Sequence, residues 1–220
     1  MQDYRINESY KQLRTNIEFS GEENKIIAIT SCAPSEGKST VSLSTAYSLA
    51  EAGKKVLFID ADLRKSVLAG RYKVTGEMKG LTHFLSGQGD LSEILCKTNE
   101  KGLFVIFAGP VPPNPAELLG SKKFAALLKE ARNIYDYIII DTPPLGSVID
   151  SAIVSAACDA AILVISANTV SYKFARSVKD QLIKTGCNIL GVVLNKVSMK
   201  QNKYYGKYYG KYYGHYGSDN

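Results

Sequence analysis

A short segment with one glycine and one lysine, CAPSEGKST at residues 32–40, follows an apolar run and precedes a stretch with helical spacing. Residues 26–30 are typical of a buried strand, and residues 41–52 have the length and apolar periodicity of a helix that Gly53 ends. A loop between such a strand and helix directs backbone N–H groups, and the positive end of the helix, toward a polyphosphate. The segment therefore predicts a phosphate-binding loop.

This loop matches the pattern GxxxxGK[ST] except at its first position, where Cys32 replaces glycine. The match predicts that Lys38 reaches the outer phosphates, that the Ser39 hydroxyl binds Mg²⁺, and that Thr40 donates to an inner phosphate. The alternative is a tight turn between strand and helix with a solvated lysine. The nucleotide contacts that we predict from the loop come from Ser35, Glu36, Gly37, Lys38, Ser39 and Thr40.

The composition, with 45% hydrophobic residues in 220, is sufficient for one sizeable core and indicates a single folded domain. The net charge is +6, and it falls to +4 without residues 201–220, which hold three lysines and one aspartate. This balance argues against a large basic surface for nucleic acid.

Four separated cysteines without a CxxC pair predict neither a zinc site nor a disulfide framework, as is typical of a reducing cytoplasm. No apolar run approaches about 18 residues, so we predict neither a signal peptide nor a membrane span.

Carboxylates follow two of the predicted strands at the point where each strand ends. Residues 55–60 form an apolar strand that ends in Asp60, with Asp62 two residues later, and residues 137–140 are followed by Asp141. Ligands bind beyond the carboxyl ends of the strands in an open parallel sheet, so these acids face the phosphates. Asp60 and Asp62 point the same way, and their charges repel unless a proton or Mg²⁺ is shared between them. The alternative is that one caps the next helix while the other is solvated.

Asp141 has the position of a Walker B acid, which holds Mg²⁺ directly or through a water molecule. We therefore expect the carboxyl groups of Asp60, Asp62 and Asp141 to gather round one metal ion. Asn195 follows the last predicted strand, where its amide either reads the adenine of a nucleotide or completes a turn.

The order of the predicted elements indicates the fold class. Strands near residues 26, 56, 103, 138, 161 and 190 alternate with helices, which include one over residues 91–95 and one over residues 116–132. This alternation predicts an α/β fold with a doubly wound, mostly parallel sheet.

A first helix is predicted to begin at Asn7 or Ser9 and to end near residue 19. It precedes the first core strand, so we expect that it has no sequential partner to pack on. Its charged row contains Glu8, Lys11 and Arg14, and it is either a solvated face or a contact with a neighbouring subunit.

The last twenty residues differ in composition from the rest, because a KYYG unit repeats three times and is followed by an incomplete copy. A glycine at every fourth position, with no aliphatic residue, cannot form a core helix or strand, so residues 201–220 are predicted to be a flexible tail. This composition suits stacking on single-stranded nucleic acid, self-association through aromatic rings, or phosphorylation of the hydroxyl groups. The tail tyrosines are Tyr204, Tyr205, Tyr208, Tyr209, Tyr212, Tyr213 and Tyr216.

Three ordered motifs, at residues 33–40, 56–64 and 138–144, resemble the Walker A, Walker A′ and Walker B motifs of bacterial tyrosine kinases. The tail resembles the autophosphorylated tyrosine cluster of the same family, and the resemblance covers nearly the whole chain. It implies a P-loop kinase domain over residues 1–200, with an N-terminal oligomerisation helix in residues 1–20, and a phosphorylated tail over residues 201–220.

The resemblance also implies the activity and its partners. It implies an ATP- and Mg²⁺-dependent protein-tyrosine kinase that phosphorylates its own tail in trans within a ring-shaped homo-oligomer and controls capsular or exopolysaccharide synthesis and export. The implied partners are a transmembrane adaptor of the polysaccharide co-polymerase type, a cognate phosphatase and protein substrates, but no nucleic acid. The location is then the cytoplasm, at the inner face of the plasma membrane through the adaptor. The ExxRxxR contact motif of the family is matched by Glu8, Lys11 and Arg14, with lysine in place of the first arginine.

Roles for the site residues follow from the chemistry of phosphoryl transfer, which needs alignment and charge neutralisation. Lys38 and the loop amides, with Mg²⁺ on Ser39, Asp62 and Asp141, provide the neutralisation, and Asp60 is the candidate base for the tyrosine hydroxyl. The alternative is an ATPase switch of the MinD/ParA type, in which a lysine stands where this chain has Ala33. A third hypothesis is a nucleotide-gated module whose tail binds nucleic acid or polysaccharide.

Overall fold

The computed structural model describes residues 2–71 and 79–198. The strands in this part of the chain are β1 (Ile26–Ser31), β2 (Val56–Asp60), β3 (Leu95–Lys97), β4 (Leu103–Ile106), β5 (Tyr137–Asp141), β6 (Ala160–Ser166) and β7 (Asn188–Asn195). The helices are α1 (Gln2–Glu18), α2 (Lys38–Glu51), α3 (Leu68–Arg71), α4 (Leu81–Leu85), α5 (Leu91–Ile94), α6 (Pro115–Leu119), α7 (Lys122–Ile134), α8 (Asp150–Ser155) and α9 (Tyr172–Ile183).

The strands form one sheet with the order β3-β4-β2-β5-β1-β6-β7. Every neighbouring pair is parallel except β3 and β4, which are antiparallel. The chain therefore winds outward in both directions from the centre of the sheet, and the predicted doubly wound α/β fold is confirmed. The strand ends that carry the predicted acids, β2 and β5, are direct neighbours, and β1 with its loop lies on the other side of β5.

Helices cover both faces of the sheet and bury two apolar clusters. The larger cluster joins one face of the sheet to α4, α5, α6, α7, α8 and α9, and the smaller joins the opposite face to α1, α2 and α3. Strands β1, β2 and β5 are buried at every position, as expected for parallel strands that are covered on both sides. The loops at their carboxyl ends are consequently held by two rigid layers.

The first helix differs from its prediction in extent and in packing. It begins at Gln2 rather than at Asn7 or Ser9. It also has a partner within the chain, because Ile17 is buried in the smaller cluster against α2. The helix was expected to have no sequential partner, and its contacts are made with α2, beyond β1 in the sequence, on the same face of the sheet.

Two further boundaries were predicted incorrectly. The helix predicted over residues 116–132 is two helices, because the chain breaks at Gly120 and the Ser121 hydroxyl accepts a hydrogen bond from Phe124 N at the start of α7. The helix predicted over residues 91–95 ends at Ile94, and the chain continues directly into the short antiparallel strand β3. Edge strands of three residues carry too little periodicity for sequence patterns to detect.

The tail tyrosines, from Tyr204 to Tyr216, lie outside the described residues, so the division into a domain over residues 1–200 and a tail over residues 201–220 stays a prediction. In the described part of the chain, no helix combines the length and the apolar character needed to cross a bilayer.

Candidate active site

The loop between β1 and α2 contains two residues with left-handed backbone, Ser35 (φ 63°) and Gly37 (φ 89°). Glycine is required at position 37 for two reasons. Its φ is one that side chains disfavour, and a Cβ atom there would lie 2.2 Å from the Asn195 amide nitrogen. The next residue, Lys38, begins α2, so the helix N-terminus and the loop amides face the same point, as a phosphate site requires.

Cys32, which stands at the first glycine position of the pattern, is fully buried and belongs to the larger apolar cluster. Burial, with a smaller contribution from the charge of Glu36, raises the pKa of the Cys32 thiol to about 11. The thiol is therefore neutral at pH 7 and packs as a small apolar side chain rather than acting as a nucleophile.

Lys38 connects the loop to both predicted carboxylate motifs. Its ammonium nitrogen lies 2.9 Å from Asp141 Oδ1 and 3.7 Å from Asp62 Oδ2, and it donates to the Ser39 hydroxyl at 3.3 Å. These four predicted site residues, which come from three separate segments of the sequence, thus lie within one cluster. The cluster is nearly closed to solvent, since both Lys38 and Asp141 are buried.

Asp141 is held at the end of β5 by a residue that the sequence did not single out. The Ser42 hydroxyl, one turn into α2, donates to Asp141 Oδ1 at 2.9 Å. The other carboxylate oxygen, Oδ2, is buried and has no hydrogen-bond partner in the described part of the chain. The spacing of Ser42 from Lys38, four residues on a helix, was a usable signal, because it places both side chains on the same face.

Asp60 lies opposite Asp141 in the register of β2 and β5 and is fully buried. It accepts hydrogen bonds from the Ser66 hydroxyl and from Asp62 N. Burial, and then the negative charge of Asp141, raises its pKa to about 7, although the Ser66 hydrogen bond and the charge of Lys38 oppose the shift. Asp60 therefore exchanges a proton near neutral pH.

Replacing Asp60 by Asn is expected to stabilise the metal-free protein more strongly as the pH rises from about 4 to about 7. The ordinary pKa is 3.8 and the folded value is about 7, so between these values the folded chain binds more protons than the unfolded chain. The wild type consequently loses stability with rising pH in this window, whereas the neutral amide does not. Urea unfolding with EDTA at pH 4 to 8 measures the difference, which should level off above pH 7. A difference that does not change with pH would contradict the shifted pKa.

The metal-binding expectation is met only in part. In the described ranges, no group of three or more His, Cys, Asp or Glu side chains is arranged to hold a metal ion. The expectation that Asp60, Asp62 and Asp141 surround one metal stays a prediction, since in this structure the ammonium group of Lys38 contacts both Asp62 and Asp141. Asp62 also uses Oδ1 to accept from Lys65 N, within the turn that follows β2 rather than at the start of α3 (Leu68–Arg71).

The residues present nevertheless fit magnesium. Mg²⁺ commonly binds one or two protein carboxylates and completes its shell with phosphate oxygens and water. The unpartnered Asp141 Oδ2 and the Ser39 hydroxyl beside Lys38 provide such a sparse set of hard oxygen ligands.

Glu36 has a role within the loop rather than toward a ligand. Its buried carboxylate accepts from Ala33 N at 2.7 Å and from Ser166 N, at the end of β6, at 3.1 Å. A nucleotide contact from Glu36 must therefore come from its backbone N–H group. The side chain ties the loop to the neighbouring strand, and this brace was not recognised from the sequence.

The end of β7 also reaches the loop. The Asn195 amide nitrogen donates to Glu36 O at 2.9 Å, so the residue predicted to read adenine lies against the phosphate loop with one of its polar groups already used. The next residue, Lys196, which the sequence analysis passed over, donates from Nζ to Ser35 O at 2.6 Å.

The sequence of this chain is similar to those of known proteins, and these similarities are consistent with a phosphate-binding site. Residues 24–186 match the AAA domain family. Tyrosine-protein kinase CpsD of Streptococcus agalactiae serotype Ia is 52% identical over 191 residues, which cover 87% of this chain and 82% of the relative. Tyrosine-protein kinase YwqD of Bacillus subtilis is 40% identical over 90% of this chain and 84% of its own length. This chain belongs to the bacterial tyrosine kinase family.

Solved structures with a similar three-dimensional fold support the same family assignment. The kinase domain of Escherichia coli tyrosine kinase ETK superposes with a TM-score of 0.84 at 35% identity, over 90% of this chain and 78% of that one. The septum site-determining protein MinD of Pyrococcus horikoshii, in complex with Mg-ADP, gives a TM-score of 0.68 at 27% identity, over 80% and 72%. The kinase thus shares a nucleotide-binding fold with the alternative class of ATPase switches, while its relatives identify it as a protein-tyrosine kinase.

The second motif of the kinase is joined to the start of α8 by an ion pair that was not predicted from the sequence. Arg64 donates through two nitrogens to the two oxygens of Asp150, at 2.8 and 2.9 Å. The Asp150 carboxylate is completely buried at the start of α8, whereas 42% of the Arg64 side chain is exposed. The pair holds the segment after β2, which also contains Asp62, against the N-terminus of α8.

Replacing Arg64 by Met is expected to lower the free energy of unfolding by about 2–3 kcal/mol, because Asp150 would remain buried without its counterion. The figure is below that for a fully buried pair since Arg64 is partly exposed. Urea unfolding measures the loss, and the double variant R64M/D150L, which has no buried charge, should recover most of it. Equal losses in the single and double variants would show that the pair does not carry the effect.

The predicted oligomer-contact residues lie on α1, away from the cluster around Lys38. Glu8 and Lys11 form an ion pair with each other at 2.8 Å on the exposed side of the helix. Arg14 instead points to the protein body and donates to Ser48 O, in the last turn of α2, at 2.8 Å. Arg14 thus helps to fix α1 on the kinase itself.

Proposed function

We propose that this kinase transfers the γ-phosphoryl group of ATP, with Mg²⁺, to the tyrosines of the C-terminal tail of a neighbouring copy. The observation that carries the proposal is the cluster in which Lys38 of the phosphate loop meets Asp141 and Asp62. This cluster combines a cation for the transferred phosphoryl group with acids for a metal, which are the parts that phosphoryl transfer needs.

Bound ATP would change the partners of Lys38. The nucleotide phosphates would compete with Asp141 and Asp62 for the ammonium group of Lys38, which would leave both carboxylates free to bind a metal. Ser39, Asp62 and Asp141 would hold Mg²⁺, which would supply charge neutralisation for the phosphate oxygens. The loop amides and Lys38 align the γ-phosphate, and the rigid layers beneath them keep this geometry.

Two acids compete for the role of base toward the tyrosine hydroxyl, whose ordinary pKa is about 10. The pKa of Asp60, about 7, suits a proton acceptor at neutral pH. However, Asp60 is fully buried, whereas Asp62 is 9% exposed. We propose Asp60 as the base, reached by the phenol after Lys38 has moved to the nucleotide; full activity in an Asp60→Asn variant would assign the proton transfer to Asp62 instead.

The path of the chain supports the tail as the substrate. The described residues end at Ser198, three positions after Asn195, which touches the phosphate loop. Tyr204 follows six residues later, and six residues span at most about 20 Å. The described chain therefore ends near the phosphate loop, and we propose that the tail that follows delivers its tyrosines to the site of an adjacent copy.

The wider role that we propose follows the family resemblance and the CpsD relatives. The kinase works in a ring-shaped homo-oligomer, with a transmembrane adaptor that holds it at the inner face of the plasma membrane. Tail phosphorylation, reversed by a cognate phosphatase, regulates the synthesis and export of capsular or extracellular polysaccharide, and other protein substrates are modified by the same site.

Mixing two defective variants tests transfer between copies. One variant carries Lys38→Met and an intact tail, and the other has an intact phosphate loop and all seven tail tyrosines replaced by Phe. Incubated with labelled ATP and Mg²⁺, neither alone should label strongly, whereas the mixture should label the Lys38→Met polypeptide on phosphotyrosine. An unlabelled mixture, alongside a wild type that labels well, would show that transfer occurs within one chain. A wild type without phosphotyrosine would refute the proposed autophosphorylation itself.

A further inference from the structure

Two consecutive side chains from the end of β7 bind two consecutive carbonyl groups of the phosphate loop. Asn195 donates from its amide nitrogen to Glu36 O at 2.9 Å, and Lys196 donates from Nζ to Ser35 O at 2.6 Å. The Lys196 side chain passes along the loop, since its Cε atom lies 3.9 Å from the position that a Cβ atom on Gly37 would occupy. The last residue of β7 and the residue after it therefore form hydrogen bonds to adjacent peptide groups of the loop.

The direction of these carbonyl groups determines the direction of two N–H groups. In a trans peptide the C=O and N–H bonds of one planar unit point in opposite directions. Ser35 O shares its unit with Glu36 N, and Glu36 O shares its unit with Gly37 N. Drawing both carbonyls toward β7 turns the N–H groups of Glu36 and Gly37 the other way. These N–H groups belong to the part of the loop that is expected to bind phosphate.

Backbone strain indicates that this arrangement is held by the contacts rather than by local preference. Ser35 and Lys196 both have left-handed backbone, with φ of 63° and 56°, although neither is glycine. Such a conformation costs roughly 1–2 kcal/mol per residue and persists where surrounding contacts impose it. Lys196 is exposed, so burial of its side chain does not provide the compensation. Its hydrogen bond to Ser35 O joins the two strained residues directly.

We propose that Lys196, together with Asn195, is a positioning residue that orients the Glu36 and Gly37 amides of the phosphate loop for the nucleotide phosphates. The proposal rests on the proposed ATP binding and adds to it a residue outside the Walker motifs. It also explains why the Asn195 amide nitrogen faces the loop, because this contact orients the phosphate site. The contact leaves the amide oxygen of Asn195 available to the adenine base.

Lys196→Met tests this role, because methionine keeps an unbranched stem and removes the ammonium donor. We expect about tenfold weaker binding of ADP and of inorganic pyrophosphate, the loss that a missing hydrogen bond from a charged group produces, and unchanged binding of adenosine. The melting temperature should stay close to that of the wild type, since Lys196 is exposed. Lys196→Arg, which retains a cationic donor, should recover most of the affinity, and Lys129→Met on the exposed side of α7 should have no effect.

A spectroscopic measurement separates positioning from simple attraction between Lys196 and phosphate. In the nucleotide-free protein, the amide ¹H and ¹⁵N shifts of Glu36 and Gly37 should change in Lys196→Met and return toward wild type in Lys196→Arg. Unchanged shifts with weaker pyrophosphate binding would overturn the positioning role, and unchanged pyrophosphate affinity would overturn it as well. Equal losses for adenosine and ADP would place Lys196 at the base instead. If the wild type binds no ADP, the failure lies with the proposed function and not with Lys196.

Discussion

Lys38→Met is expected to reduce tyrosine phosphorylation by roughly a thousandfold or more. Lys38 is the cation that the phosphate loop places beside Asp141, at 2.9 Å, and Asp62, at 3.7 Å. Without it, the charge that develops on the transferred phosphoryl group faces a site rich in carboxylates. Methionine has nearly the same length, so the substitution removes the charge while leaving a similar volume. Labelled ATP with phosphoamino acid analysis measures the loss.

The same substitution also leaves Asp141 buried without its counterion, so a folding defect has to be separated from a chemical one. The double variant K38M/D141N removes both members of the pair and should regain stability toward urea. It should remain inactive, because it lacks both the cation for the phosphoryl group and the proposed Mg²⁺ ligand Asp141. Retained anti-phosphotyrosine signal in either variant would refute the role of Lys38.

Replacing all seven tail tyrosines by Phe is expected to remove most ATP-dependent labelling of the chain while leaving ATP binding unchanged. Phenylalanine retains the ring and removes only the hydroxyl group that accepts the phosphoryl group, so association through aromatic rings is preserved. Incorporation of labelled phosphate should fall by about an order of magnitude or more if the tail holds the main acceptors; fluorescence titration with a labelled ATP analogue reports binding. The residues replaced are Tyr204, Tyr205, Tyr208, Tyr209, Tyr212, Tyr213 and Tyr216.

A matched control uses tyrosines of the folded body. Tyr4 and Tyr172 are both exposed, and their replacement by Phe should leave labelling at the wild-type level. Undiminished labelling of the variant without tail tyrosines would move the acceptor sites into the body of the kinase and contradict the proposed role of the tail.

Local patterns were sufficient for the central elements of the fold. Buried strands such as β5 are continuous apolar runs, and α2 follows its glycine-containing loop with clear helical spacing, so both were predicted close to their observed bounds. The elements that failed depend on weaker local signals. The strand β3 has three residues at a sheet edge, and the break between α6 and α7 depends on a single Gly-Ser step.

In the candidate site, too, some features were predictable from local sequence patterns and others were not. The residues themselves stand at strand ends and in a glycine-containing loop, where sequence patterns can find them. The residues that contact them were not predicted. Ser42 and Lys196 were overlooked because a serine on a helix and a lysine after a strand are common on any surface. Asp60 was selected as a base by position, but its pKa of about 7 follows from burial and from Asp141, neither of which sequence spacing reveals.

By itself, the amino-acid sequence determined the order of the six parallel strands, the phosphate loop and the family of this protein, because these depend on patterns among neighbouring residues. Only the tertiary structure decided which distant groups meet: Lys38 with Asp141 across 103 positions, Arg64 with Asp150 across 86, and Lys196 with Ser35 across 161. The reason is that these contacts depend on the lateral order of the sheet, in which β5 lies between β1 and β2. Burial within those layers then sets the energies of the charges, which no local pattern encodes.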